Sequence, residues 1–391
     1  MTTESVLPRP ATHDLGTDPI PTGPYYEPEY FEAERAAIFK RTWLEIGHVC
    51  ELPQPNSYIV RELEVANTTV LITRGKDGVI RAFHNVCTHR ATQLVLDRGG
   101  QRSSFSCQYH GWNFTPDGRL RSAPDFGNFY IDKSQCGLPK ISVDVCAGLI
   151  FINLDPEPKQ SLREFLGPLA AKLELLPVAQ ATTCTEYVYE IDANWKLTFD
   201  NFQENYHLRF IHPRSGGNGP TGPDNPFGYP TDIGFSGPHR YQTVWTNPEF
   251  TPAEVQGIAL MKQLEGALSR QLEFNMDYLV LFPNFFIFGM AIQHFSHVVY
   301  PISATKSRGV VRLYWVGDDL NASERFAREY AACTTLDIHS EDREVIEAGQ
   351  RGISSGALSH IHFQAQEVLL RHLYHEVDAA VSSYRAEQVR R

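Results

Sequence analysis

The chain has 391 residues, 42% of them hydrophobic and 21% charged, with a formal net charge of −11. That length exceeds what one hydrophobic core usually fills, which predicts two domains or one domain carrying an insertion. The acidic balance opposes nucleic acid and anionic membranes, no cationic start leads into an apolar run, and no stretch reaches the roughly 18–20 apolar residues a span needs, so a cytoplasmic protein is expected.

Met1–Pro28 is rich in Pro and Thr and reads as an irregular arm. Glu29–Arg41 has helical spacing, with Phe31, Ala36, Ile38 and Phe39 available as an apolar face. From Trp43 to Asp155 the texture turns to short β-rich runs: Ser57–Val60, Thr68–Thr73, Val79–Phe83 and Gly148–Asn153. The turn signals Lys76-Asp77-Gly78 and Pro116-Asp117-Gly118 separate them, which predicts a small all-β domain.

Ser161–Leu176 returns to helical spacing, and Glu186–Ile191 reads as a strand. Asn194–Phe210 reads as a helix that ends before Pro213. Ser215–Pro238 is dense in Gly and Pro and reads as a long loop, a candidate lid. Pro252–Phe274 is predicted helical. Three strand-like runs follow, Asp277–Met290, Gln293–Tyr300 and Gly309–Val316. The tail from Ser323 to Arg391 is mostly helical with a break near Gly352–Gly356. Strands and helices are segregated rather than alternating, which predicts an α+β fold with the β-rich block near the N-terminus of the larger unit.

The seven cysteines are Cys50, Cys87, Cys107, Cys136, Cys146, Cys184 and Cys333. An odd count in a long chain argues for metal ligation by any closely spaced pair rather than for disulfides. Two such pairs stand in the β-rich block. Cys87-Thr88-His89 is followed, after 17 residues, by Cys107-Gln108-Tyr109-His110. Two thiolates with two neutral imidazoles suit a [2Fe–2S] cluster whose potential is raised by the imidazoles. The same four residues could hold zinc, although zinc sites usually pair Cys with Cys and His with His. With Gly111-Trp112 behind the second pair, the pattern resembles the Rieske domain signature. That resemblance implies a β-sandwich with a two-hairpin cluster-binding subdomain. It puts Cys87 and Cys107 on one iron, and His89 and His110 on the other.

A second constellation lies on the predicted helix. Asn194-Trp195-Lys196 is followed by Glu204-Asn205-Tyr206-His207 and by His212-Pro213. Glu204 and His207 are three apart and share a helix face. His212 sits where Pro213 ends the helix, so a bent end could swing it toward His207. Two imidazoles and a carboxylate leave open positions on iron for dioxygen chemistry. Asp342, in His339-Ser340-Glu341-Asp342, is the candidate third ligand, with Glu341 the runner-up. Two His near a helix end can also be ordinary surface or capping residues.

Taken with the first motif, the run N-W-K…E-N-Y-H-x4-H-P is similar to the catalytic iron motif of Rieske non-heme iron oxygenase large subunits, the ring-hydroxylating dioxygenase family. The resemblance covers roughly residues 25–375. It implies an α+β protein with an all-β Rieske domain (42–158) inserted in a helix-grip catalytic domain, built from an arm and helix (1–41) and from residues 159–391. It also implies one [2Fe–2S] cluster and one mononuclear Fe(II) per chain, the latter on His207, His212 and Asp342. Glu204 matches the family's bridging carboxylate, which links an iron histidine to a cluster histidine of the neighbouring subunit. Ala91 departs from the Gly that many relatives carry after Arg90.

No G-x-G-x-x-G follows a strand, so NAD(P)H would act through a separate reductase, with a ferredoxin as a further candidate carrier. The resemblance implies a homotrimer, with or without a small β subunit. Expected substrates are small aromatic or N-methylated molecules, hydroxylated or oxidatively dealkylated. Phe202, Phe210, Phe282, Phe285, Phe286, Phe288 and Met290 are pocket candidates that could equally be core. The rival readings are a Rieske electron carrier without oxygenase activity and a zinc-stabilised ligand-binding protein.

Overall fold

The computed structural model describes residues 14–213, 215, 217, 219–247, 277–289, 294–317 and 321–390. The helix expected at Pro252–Phe274, and Met290, lie outside them. The chain divides into two compact units, residues 38–165 and residues 1–37 with 166–391. Among the described residues no helix is long and apolar enough to cross a membrane.

The first unit is all-β apart from short helical turns. Its seven-stranded antiparallel sheet runs, edge to edge, Leu44–His48, Leu149–Asn153, Lys140–Cys146, Ile80–His84, Thr68–Arg74, Ser57–Leu63 and Gly99–Gln101. A small sheet of Phe105–Ser106, Asn113–Phe114 and Leu120–Ser122 lies beside it in the sequence of the second Cys-His pair. The core joins Tyr58, Leu71, Phe83, Phe105, Trp112, Phe114 and Leu138 with the two thiols Cys87 and Cys107.

The two Cys-His segments fold into matching loops. Cys87 N–H donates to Thr92 O (2.8 Å) and Ala91 N–H donates back to Cys87 O (3.0 Å). Cys107 N–H donates to Trp112 O (2.7 Å) and Gly111 N–H donates back to Cys107 O (2.9 Å). The fifth residue of each loop is left-handed, at φ +71° for Gly111 and +56° for Ala91. Glycine takes that conformation freely, whereas alanine's Cβ crowds the next carbonyl. Ala91→Gly is therefore expected to stabilise this unit by about 0.5–1 kcal/mol, the relief of strain less glycine's larger chain entropy. Denaturant unfolding of the metal-loaded protein checks this; a loss of stability would contradict it.

The second unit is built on a seven-stranded antiparallel sheet in the order Thr183–Ile191, Lys306–Trp315, His294–Ser303, Phe285–Gly289, Asp277–Leu281, His239–Thr243, Asp232–Ser236. The run expected as one strand at 277–290 is a hairpin, because Phe282-Pro283-Asn284 cannot continue a ladder. The long loop expected at 215–238 contains the edge strand Asp232–Ser236, which pairs with His239–Thr243. The N-terminal arm is pinned rather than irregular from residue 20: Ile20–Pro21 pairs with His360–Ile361.

One face of this sheet carries helices. Cross-strand partners put Gln242, Tyr278, Phe288, Phe295 and Leu313 in one row, and Arg240, Val280, Phe286, His297 and Val311 in the next. Trp195–Asp200 packs on the central strands of this sheet. The long helix Ala322–Ser354 is tied to that segment through Gln350, whose Oε1 accepts Asn194 N–H (2.7 Å) and whose Nε2 donates to Tyr25 O (3.1 Å). Beneath it, Lys196 is fully buried between Glu34 and Pro24 O (2.8 Å), and Trp195 Nε1 donates to Glu34 (3.0 Å). A buried ammonium held by a carboxylate and a carbonyl fixes the segment, since moving either partner strands a charge.

The helix expected over 194–210 is interrupted. Trp195–Asp200 and Leu208–Ile211 are helical, and residues 201–207 form turns. Gln203, Glu204 and Asn205 are the reason: polar side chains here satisfy backbone groups themselves. Glu204 accepts the backbone N–H of Tyr206 and of His207 (3.3 Å for the latter), and Asn205 Nδ2 donates to Gly228 O (3.1 Å).

Candidate iron sites

In the β unit, Cys87 and Cys107 are buried while His89 and His110 are partly exposed. The rings of His89 and His110 meet edge to face at 4.5 Å, and Trp112 stacks on His89 at 5.0 Å. Burial pushes the Cys87 thiol up; backbone N–H groups of His89 and Arg90 oppose this, and the neighbouring Cys107 sulfur reinforces it. Burial, with His110 and Arg90 nearby, holds His89 below its ordinary value and therefore neutral. His89 Nδ1 is buried with no hydrogen-bond partner among the described residues. Two thiols facing each other inside, two imidazoles outside and an unpartnered ring nitrogen fit a cluster needing two sulfur and two nitrogen donors.

In the second unit, His207, His212 and Asp342 each offer a ligand atom, all within 4.8 Å of one another. His212 Nε2 lies 2.8 Å from Asp342 Oδ1, and His207 Nε2 lies 3.7 Å from the same oxygen. Both opposite ring nitrogens are held by carboxylates. His207 Nδ1 bonds Glu204 Oε1, and His212 Nδ1 bonds Glu341 Oε2 at 2.7 Å. Ser215 Oγ donates to that same Glu341 oxygen. The geometry thus separates Asp342, which meets both Nε2 atoms, from Glu341, which stands behind His212. Partners of this kind fix a ligand's tautomer and raise its basicity. Burial alone would depress the His212 imidazolium, but bonds to Asp342 and Glu341 outweigh it and raise it. A carboxylate and two imidazoles converging at one point are a fitting donor set for divalent iron.

The spacing of Glu204 to His207 predicts that the two share a helix face, and the two do bond. Glu341 lies next to Asp342 in the sequence, but its role behind His212 could not be read from spacing, because it depends on which side of a 33-residue helix faces the turn.

The pocket candidates divide. Phe202 lies against His297 (4.3 Å) and His339 (4.9 Å), one helical turn before Asp342. Phe286 and Phe288 both flank Tyr278, at 5.0 and 4.9 Å, and Phe286 reaches Phe295 at 5.8 Å. Phe285 faces the other side of the sheet, and Phe282 is buried in the hairpin turn. Phe210 is 61% exposed beside Tyr206 and Arg209, so it is a surface residue rather than part of an enclosed wall. Sequence reasoning missed Tyr278, Phe295, Tyr189, His297 and His339, which complete this face.

Two family models match the chain. "Rieske [2Fe-2S] domain" covers residues 42–140, and "Ring hydroxylating alpha subunit (catalytic domain)" covers 179–383. The chain belongs to the family of Rieske ring-hydroxylating oxygenase alpha subunits, terminal oxygenases that carry a [2Fe–2S] cluster and a mononuclear iron. Among its relatives, the carnitine monooxygenase oxygenase subunit of Acinetobacter baumannii is 28% identical over 347 residues, covering 85% of this chain and 84% of that one. The glycine betaine monooxygenase oxygenase subunit of Pseudomonas aeruginosa (strain UCBPP-PA14) is 33% identical over 194 residues, 50% of this chain and 44% of that one. The crystal structure of a quaternary ammonium Rieske monooxygenase in complex with L-carnitine superposes with a TM-score of 0.77 at 24% identity, covering 97% of this chain and 99% of that one. These three act on quaternary ammonium compounds, which lends no support to the aromatic-hydrocarbon branch of the sequence reading.

Proposed function

We propose that this oxygenase oxidises a carbon next to the nitrogen of a quaternary ammonium compound. The observation that carries this is the wall formed by Tyr278, Phe286, Phe288, Phe295 and Phe202 on the helix-bearing face of the sheet. Ring faces attract a cation that has no proton to donate. Burial holds the Tyr278 hydroxyl above its ordinary value, with Glu204 nearby adding to it, so the ring stays neutral. The named relatives point the same way.

Cys87, Cys107, His89 and His110 are assigned to the cluster, and His207, His212 and Asp342 to the iron. When bound, the two groups supply electron storage and dioxygen activation. Overall, one atom of O2 enters the C–H bond beside nitrogen; the other leaves as water with two electrons and two protons. The carbinolamine then breaks its C–N bond to give a tertiary amine, an aldehyde and a proton. The electrons come from a separate reductase, since no nucleotide fingerprint is present.

Delivery between neighbouring subunits of a homotrimer agrees with the surfaces of the two units, each considered alone. Tyr109, beside His110, is 53% exposed, and Tyr206, beside His207, is 42% exposed. Such aromatic surface around both sites suits a docking contact.

Single turnover of the chemically reduced protein tests the reading. A panel of trimethylammonium compounds, aromatic acids and aryl ethers is offered, with products read by mass. Amine and aldehyde from a trimethylammonium compound are expected; oxidation confined to the aromatic acids would overturn the assignment.

A further inference from the structure

The wall of rings has one polar interruption. His297 is fully buried on the strand His294–Ser303, in the same face as Phe286 and Phe295. Its Nε2 lies 2.8 Å from the Tyr189 hydroxyl, and its Nδ1 has no partner among the described residues. Phe202 meets its ring at 4.3 Å and His339 at 5.1 Å. A buried polar nitrogen without a partner is costly, so one kept in this wall is available to a ligand.

The tautomer follows from the network rather than from any observed hydrogen. Burial, with Asp342 nearby, holds the Tyr189 hydroxyl protonated. Burial and the neighbouring His339 hold His297 well below its ordinary value, hence neutral. If Tyr189 donates to Nε2, only the Nδ1–H is left over. If Nε2 donates instead, both Nδ1 and the Tyr189 O–H are left over. The first arrangement strands fewer groups, so Nδ1 carries a hydrogen to donate. His339 adds a second imidazole at the Asp342 end of the face, and burial pushes it down to about 4, with His212 lowering it further against the pull of Asp342.

We propose that His297 Nδ1–H is the group that binds the substrate's oxygen and so sets specificity, the oxygen being the carboxylate if this chain takes a betaine of the kind its carnitine and glycine betaine relatives are named for. Building on the function assigned above, the rings take the cationic end and His297 takes the anionic end. Neutral donors suit a substrate with no net charge, since neither end then needs a buried counter-ion from the protein. The spacing between cation and carboxylate sets which carbon faces the iron site. Tyr189 acts through His297 as a positioning residue.

Calorimetric binding to the oxidised, metal-loaded protein tests this without turnover. The probes are trimethylammonioacetate and γ-trimethylammoniobutyrate, each beside the alkyltrimethylammonium ion of equal length. The wild type is expected to prefer at least one carboxylate over its alkyl partner. His297→Leu should erase that preference by roughly tenfold or more, the loss of one hydrogen bond to a charged group, with a smaller change in alkyl binding. His297→Asn should retain it, because the amide N–H replaces Nδ1–H, whereas His297→Gln should not, because its amide falls at the Nε2 position. The Asn–Gln contrast decides the matter should the Leu variant not fold. Tyr189→Phe should lower the preference in part, with a smaller effect on alkyl binding. No carboxylate preference in the wild type, or one that survives both His297→Leu and His297→Gln, would overturn the inference. A His297-dependent preference with no trimethylammonium compound oxidised would instead overturn the functional assignment and leave this one standing.

Discussion

Asp342→Ala is expected to take the protein from about three irons per chain to about two and to abolish product formation, while the Rieske visible spectrum persists. Asp342 Oδ1 is the point on which both Nε2 atoms converge, at 2.8 Å from His212 and 3.7 Å from His207. Removing it leaves two imidazoles, too few donors to hold a divalent ion that must keep positions open. Glu341→Ala should behave differently. Its carboxylate touches only the far nitrogen of His212, so iron should still bind, with affinity or activity lowered roughly 10–100-fold. Iron content and product yield on the two variants separate the roles. Equal losses would make Glu341 a ligand, and an unimpaired Asp342→Ala would end the assignment of this site.

The pair also differs in pH dependence. Burial works against a charged His212, and Asp342 and Glu341 together more than reverse that, so its folded value lies above the ordinary one. Iron needs the neutral ring and competes with that proton. Uptake by the apo site should therefore weaken as pH falls through the raised value, starting at a higher pH than an unpartnered histidine would require. Glu341→Ala removes part of the upward pull, so its uptake curve should shift toward lower pH even as its plateau falls. A curve shifted toward higher pH would contradict the role given to Glu341.

The clustering of the residues proposed here to serve the two iron centres was legible in the sequence because each group is local. Cys87 with His89, Cys107 with His110, and Glu204 with His207 and His212 all lie within a turn or two of one another, where spacing implies proximity. Asp342 was reachable only as a nearby carboxylate at helical spacing, and its separation from Glu341 needed the packing of the long helix. The interruption at residues 201–207 was not legible. Asp200-Asn201-Phe202-Gln203-Glu204 has helical spacing, and nothing in the sequence says that the Glu204 carboxylate will cap the next turn rather than face solvent. The face proposed to hold substrate was the least legible. Tyr278, Phe288, Phe295 and His297 come from separate strands, and their sharing a face depends on strand order and register. The same register sends Phe285 to the opposite side, although its neighbour Phe286 belongs to the wall.

Glu204→Gln is expected to keep both metals and the Rieske spectrum, yet to slow delivery of electrons to the catalytic site by about 10–100-fold. Its carboxylate works on two sides at once. Oε1 holds His207 Nδ1, and Oε2 accepts the backbone N–H of Tyr206 and His207. All of these partners are donors when His207 is neutral and coordinated through Nε2, so both positions on residue 204 must be acceptors. Glutamine offers one acceptor and one donor. If its oxygen faces His207, its NH2 meets two backbone N–H groups; if it turns round, its NH2 meets the ring N–H. Either way one side is broken, the tautomer of His207 is no longer enforced, and the hydrogen-bonded route through residue 204 is interrupted. Aspartate keeps both acceptors on a shorter arm, so Glu204→Asp should fall between the wild type and glutamine. Stopped-flow decay of the reduced Rieske absorption in the presence of substrate and O2, on protein of verified iron content, reads the rate directly. Wild-type rates in Glu204→Gln would remove Glu204 from the electron path and leave it only the capping of the turn that carries His207.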